Sequence, residues 1–122
     1  MKIAFIFPGQ GSQYVGMGLP LSNAFEIAKK TYEEASDALG WDMAKLCFEG
    51  PEEKLNQTEY TQPALLATSI AVWRSLGISP QSGLCVAGHS LGEYTALVVA
   101  GAIPFREALS LVSKRGRFMQ EA

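Results

Sequence analysis

The sequence predicts an α/β fold in which parallel strands carry helices packed on them. Three observations support this. A continuous apolar run, Ile3 to Phe7, ends at the turn signal Pro8-Gly9, the pattern of a buried strand. A second apolar run, Leu84 to Ala87, passes directly into Gly88-His89-Ser90-Leu91-Gly92 and an apolar helical stretch. Helical segments separate and follow the two runs, the alternation that builds a parallel sheet. Two parallel strands do not make an independently stable sheet. The last helical pattern is also still running at Ala122. Residues 1–122 are therefore expected to be a single, incomplete domain.

The remaining elements follow in order. Pro8 to Gly18 is rich in glycine and polar residues and reads as a loop. Ser22 to Leu39 reads as one amphipathic helix stopped by Gly40. Asp42 to Phe48 is a short helical turn ending at Gly50-Pro51, and Glu52 to Gln57 a short helix or loop. Thr61-Gln62-Pro63 is expected to open a long helix, with Thr61 as N-cap and Pro63 in the first turn. Consecutive apolar residues from Ile70 to Trp73 make much of that helix buried. It stops at Gly77, and Ser79 to Gly83 reads as a turn. Ser90 to Ala100 is a central apolar helix ending at Gly101, and Pro104 starts the last helix.

Composition excludes several classes of function. The chain is 48% hydrophobic and 18% charged, enough to build a core. Its net charge is -2, with both signs dispersed, so a nucleic-acid partner is not expected. The single histidine and the two separated cysteines, Cys47 and Cys85, are too few for a metal site; both read as buried thiols of a reducing compartment. The N-terminal apolar run is shorter than a signal-peptide core, and no stretch has the length to span a membrane. A cytoplasmic protein without membrane contact is the expectation.

The chemistry centres on Gly88-His89-Ser90-Leu91-Gly92, a G-x-S-x-G sequence between strand and helix. Such a turn exposes the Ser90 hydroxyl at its apex. Gly88 and Gly92 stay small because backbones crowd there. The helix start supplies unpaired N–H groups and partial positive charge, and the Leu91 N–H is placed to hold an oxyanion. A serine nucleophile needs a general base. His89 sits on the far side of a tight turn and is expected to be buried or supporting, so the base is expected outside these 122 residues. On the last helix, Phe105, Ala108, Leu109, Val112, Gly116 and Met119 share one face at about 100° per residue, with Leu111 and Phe118 extending it. Arg115 falls inside this apolar arc, whereas Arg106, Lys114 and Arg117 fall on the polar side. A guanidinium aimed inward needs an anionic partner, either a substrate or a structural carboxylate. Glu93, in the first turn after Ser90, reads as a favourable charge at a helix start.

Three segments together resemble the malonyl-CoA:acyl-carrier-protein transacylases of fatty-acid synthesis and the related acyltransferase domains of polyketide synthases. They are Phe7-Pro8-Gly9-Gln10-Gly11-Ser12-Gln13, Gly88-His89-Ser90-Leu91-Gly92-Glu93-Tyr94 and Arg115-Gly116-Arg117-Phe118-Met119-Gln120; Thr61-Gln62-Pro63-Ala64-Leu65 also matches. The resemblance runs the length of the chain but covers only the first part of the family's length. It implies that Ser90 takes malonyl from coenzyme A as an ester and passes it to the phosphopantetheine thiol of acyl carrier protein. It makes the N–H groups of Gln10 and Leu91 the oxyanion hole and Arg115 the ligand of the malonyl carboxylate. Coenzyme A thioester enters as substrate, and no permanently bound cofactor is implied. The implied fold is part of an α/β-hydrolase-like subdomain that ends before an inserted ferredoxin-like subdomain, with the catalytic histidine further downstream. A serine esterase or thioesterase shares the elbow but has no use for an inward Arg115. A non-catalytic interaction piece is the third reading.

Overall fold

The computed structural model describes residues 3–79 and 84–122. In chain order they form β1 (Ile3–Phe7), α1 (Leu19–Ala24), α2 (Glu26–Leu39), α3 (Met43–Glu49), α4 (Glu52–Leu55), α5 (Thr58–Leu76), β2 (Leu84–Gly88), α6 (Leu91–Val99) and α7 (Phe105–Glu121). The strands pair in parallel, Ile3 opposite Leu84 and Phe7 opposite Gly88. This register brings the carboxyl ends of both strands together, so the loop leaving β1 lies beside the turn leaving β2. The pairing continues one step further, with the His89 N–H donating to the Phe7 carbonyl at 3.2 Å. Of the turn expected over Ser79 to Gly83, residues 80–83 lie outside the described residues.

Helix α5 is the spine of the molecule. It packs on α2, α6 and α7, and Thr61 through Ala67 are all buried. Trp73 meets Phe5 of β1 edge to face at 5.1 Å, which seats the helix on the sheet. Helix α2 buries Ala28, Thr31, Tyr32 and Ala35, the i, i+3, i+4, i+7 stripe that its sequence carries.

Four expectations need correction. The helix read as Ser22 to Leu39 is two helices, parted at Phe25, which takes extended backbone (φ -128°, ψ 120°); Pro20, in the first turn of α1, starts that helix earlier. Thr61 is not the N-cap of α5. The helix opens four residues sooner with Gln57 at the cap, and Thr61 uses its hydroxyl inside the helix, bonding the Leu55 and Gln57 carbonyls. Pro63 therefore lies inside the helix, at its sixth position, rather than in the first turn. Strand β1 is not buried on both faces. Phe7 is buried, but Ile3 and Ile6 are 46% and 77% exposed. Ala4 and Ile6 form an open apolar face with their partners Cys85 and Ala87. His89 and Cys85 continue that side of β2, and both are exposed rather than buried, as strand alternation from residue 85 to 89 requires.

Candidate active site

Ser90 stands between β2 and α6 with φ 54° and ψ -110°. It is the only non-glycine with positive φ among the described residues. Backbone of this kind is held against a penalty of about 1–3 kcal/mol by the structure around it. The flanking glycines make the turn possible. A Cβ on Gly88 would strike the Gly92 backbone, and one on Gly92 would strike the Phe7 carbonyl. The Ser90 side chain is exposed and caps no helix N–H, so its hydroxyl is open to a substrate.

The β1 loop reaches this turn at Gly9, where a Cβ would stand 2.5 Å from the His89 carbonyl oxygen. Gln10 follows immediately. Its side-chain Nε2 donates to Thr58 Oγ1 at 3.0 Å, while Gln13 Nε2 donates to Asn56 Oδ1 at 2.8 Å and its Oε1 accepts from the Gly11 N–H at 2.8 Å. The loop is thereby tied to the start of α5. At the elbow, the N–H groups of Gly92 and Glu93 are taken by the carbonyls of His89 and Ser90. Those of Gln10 and Leu91 donate to no protein group among the described residues. Leu91 follows Ser90 directly and Gln10 follows Gly9, the loop residue that reaches the elbow, so each strand end carries one unspent donor, the kind of group that can hold a developing oxyanion.

Arg115 comes from α7. Phe105, Ala108, Leu109, Val112 and Gly116 are buried along one face, as the periodicity predicts; Leu111, Phe118 and Met119 are exposed and do not extend the core. Gly116 lets α7 approach α5 closely, since a Cβ there would lie 2.6 Å from the Thr58 carbonyl oxygen and 2.7 Å from the Glu59 Cα. That approach delivers the half-buried Arg115 guanidinium to the elbow. Its Nη2 donates to Ser90 Oγ at 3.1 Å and its Nη1 to Gln62 Oε1 at 2.8 Å. The cation also lies over the Tyr94 ring at 5.3 Å, a favourable contact. The ion pairs among the described residues join Arg74 to Glu34 and Arg117 to Glu59; Arg115 has no carboxylate partner there.

Gln62 is the residue that sequence reasoning did not single out. It is fully buried on α5 and donates through Nε2 to Met119 Sδ at 3.2 Å. A signal existed: a polar amide leads an unbroken buried run, which demands a partner just as Arg115 does. His89, the one histidine, makes no hydrogen bond to Ser90 among the described residues.

Comparison with known proteins shows the family. The family described as acyl transferase domain matches residues 4–122. The malonyl CoA-acyl carrier protein transacylase of Salmonella typhimurium is 52% identical over 125 residues, covering 99% of this chain and 40% of that protein. The crystal structure of the malonyl CoA-acyl carrier protein transacylase from Clostridium perfringens matches with a TM-score of 0.92 at 48% identity, over 99% of this chain and 38% of that one. A malonyl-transacylase in complex with its type II PKS acyl-carrier protein matches with a TM-score of 0.90 at 52% identity, over 99% and 40%. This chain thus spans 38–40% of these three relatives. With its elbow serine, glycine loop and inward arginine gathered at one sheet end, and with residues 4–122 matched throughout, the chain belongs to the acyl transferase domain family.

Proposed function

We propose that this chain is the nucleophile-bearing part of an S-malonyltransferase that moves malonyl from coenzyme A to acyl carrier protein. Ser90 Oγ attacks the thioester carbonyl, the C–S bond breaks, and coenzyme A leaves as the thiol after taking the serine proton through a base. The carrier's phosphopantetheine thiol then attacks the Ser90 ester, the C–O bond breaks and the proton returns to Oγ. The N–H groups of Gln10 and Leu91 hold the oxyanion in both halves. Arg115 binds the free carboxylate as a charge-assisted pair.

The observation that carries this reading is the guanidinium 3.1 Å from Ser90 Oγ with no carboxylate among the described residues to neutralise it. In a malonyl ester the carboxylate carbon is three bonds from Oγ, roughly 3–4 Å away, within reach of that guanidinium. An uncharged acyl group gains nothing from it. Arginine has no acceptor and stays protonated, so Arg115 cannot be the base, and His89 is not bonded to Ser90. The reading therefore takes the base from elsewhere in the complete protein, and residues 1–122 as part of one larger subdomain. The open apolar face of Ala4, Ile6, Cys85 and Ala87 supports that.

The test is intact-mass spectrometry of the complete protein after incubation with malonyl-CoA or acetyl-CoA. Wild type is expected to gain a malonyl adduct on Ser90, and Ser90→Ala none. Arg115→Ala should lose about 30- to 700-fold in malonyl transfer, the equivalent of 2–4 kcal/mol for a lost charge-assisted pair, while acetyl transfer changes little. A labelled Ser90→Ala protein, or equal losses on both substrates, would sink the assignment.

A further inference from the structure

Between α5 and α7 the site contains a buried amide where a carboxylate of nearly the same shape would fit. Gln62 is 0% exposed. Its Oε1 accepts a hydrogen bond from Arg115 Nη1 at 2.8 Å, and its Nε2 donates to Met119 Sδ at 3.2 Å. Both partners lie one turn apart on α7, on either side of Gly116, whose missing side chain lets the helices close on the amide. The usual companion of a part-buried guanidinium is an acid, because pairing offsets the loss of hydration. Here a neutral acceptor fixes the plane of the guanidinium, the Tyr94 ring lies against it, and no carboxylate among the described residues neutralises its charge.

We infer that Gln62 sets the acyl-group specificity of the site: it positions Arg115 toward Ser90 while leaving the full cationic charge for an acyl group that ends in a carboxylate. This rests on the reading of Ser90 and Arg115 given above. Glutamate at position 62 would form the internal ion pair that Gln62 avoids, and the substrate carboxylate would then have to compete with it. Selectivity for charged over uncharged acyl groups would fall, and the Nε2–H donation to Met119 Sδ would be lost with the amide.

The experiment compares complete wild-type protein, Gln62→Glu, Gln62→Met and Arg115→Ala, measuring acylation by malonyl-CoA and by acetyl-CoA. Gln62→Glu should lower the malonyl-to-acetyl ratio on the order of tenfold to a hundredfold, chiefly through a raised KM for malonyl-CoA, with a smaller loss in acetyl transfer. Gln62→Met fills similar space without the acceptor, leaves the charge free, and should give a ratio between wild type and Gln62→Glu. A residue that only supports the fold would lower both substrates together. Equal losses in either variant, an unfolded Gln62→Glu protein included, or an unchanged ratio in Gln62→Glu, overturn the inference. If wild type forms no malonyl ester, or Arg115→Ala leaves the ratio intact, the reading beneath it fails and takes the inference with it.

Discussion

Replacing Ser90 by alanine and, separately, by glycine isolates the strain at the elbow. Both changes remove the hydroxyl and its contact with Arg115 Nη2, so those losses cancel in the comparison. What remains is a Cβ held at φ 54°, ψ -110°. Relieving it should return about 1–3 kcal/mol to the folded state. Glycine also loosens the unfolded chain, which takes back about 0.5–1 kcal/mol. The net expectation is that Ser90→Gly is at least as stable as Ser90→Ala, by about 0–2.5 kcal/mol. At an ordinary position glycine is the less stable of the two, so the sign alone is diagnostic. Urea denaturation of the complete protein, read from midpoints with unchanged slopes, makes the measurement. If the alanine variant is the more stable, the elbow is not strained, and the argument that surrounding structure enforces the serine's position must be abandoned.

The same packing logic predicts Gly116→Ala. In an open helix this change stabilises by about 1 kcal/mol, but here the new methyl meets the Thr58 carbonyl and the Glu59 Cα. Overpacking of about 1–3 kcal/mol should reverse the sign and lower malonyl transfer by displacing Arg115; a stabilised, fully active variant would contradict this. The cysteines should differ in reactivity. Cys47 is buried, and burial pushes its thiol up to about 12; Cys85 is exposed. Alkylation of the 1–122 chain near pH 8 followed by peptide mass mapping should mark Cys85 and spare Cys47, whereas the complete protein, with the open face covered, should protect both. Burial raises Tyr32 as well. The unfolded chain ionises these groups first, so the stability they contribute is present below about pH 9 and falls as pH rises toward 12. A stability that held level across that range would refute the burial of both.

The elbow was legible in the sequence because its causes are local. A strand that must turn at once into a helix needs small residues at 88 and 92, and both are printed in the chain as glycine. Arg115 was legible because helical periodicity places it among buried residues. Other features depend on what packs where. Nothing local marks Phe25 as a break. The start of α5 was misplaced because Thr61 and Pro63 imitate a helix opening, whereas Thr61 spends its hydroxyl on carbonyls within the core. The apolar run of β1 signals how much surface can be buried; it does not reveal that only the Phe5 and Phe7 side is covered by these residues. Gln62 was passed over because an amide carries no charge to attract notice, yet a buried amide makes the same demand for a partner.

The stretch Asn56 to Glu59 has no reactive group of its own, yet both halves of the site hang from it. Asn56 and Thr58 tether the glycine loop. The Thr58 and Glu59 backbone is the seat of Gly116, and the Glu59 N–H donates to Gln120 Oε1 at 3.4 Å. A protein engineer who moved the loop or the arginine helix to another scaffold would therefore transfer residues without their reference point. Conversely, a change of length at this junction would shift loop and helix in concert, and would retune the distance between oxyanion donors and guanidinium without altering either one.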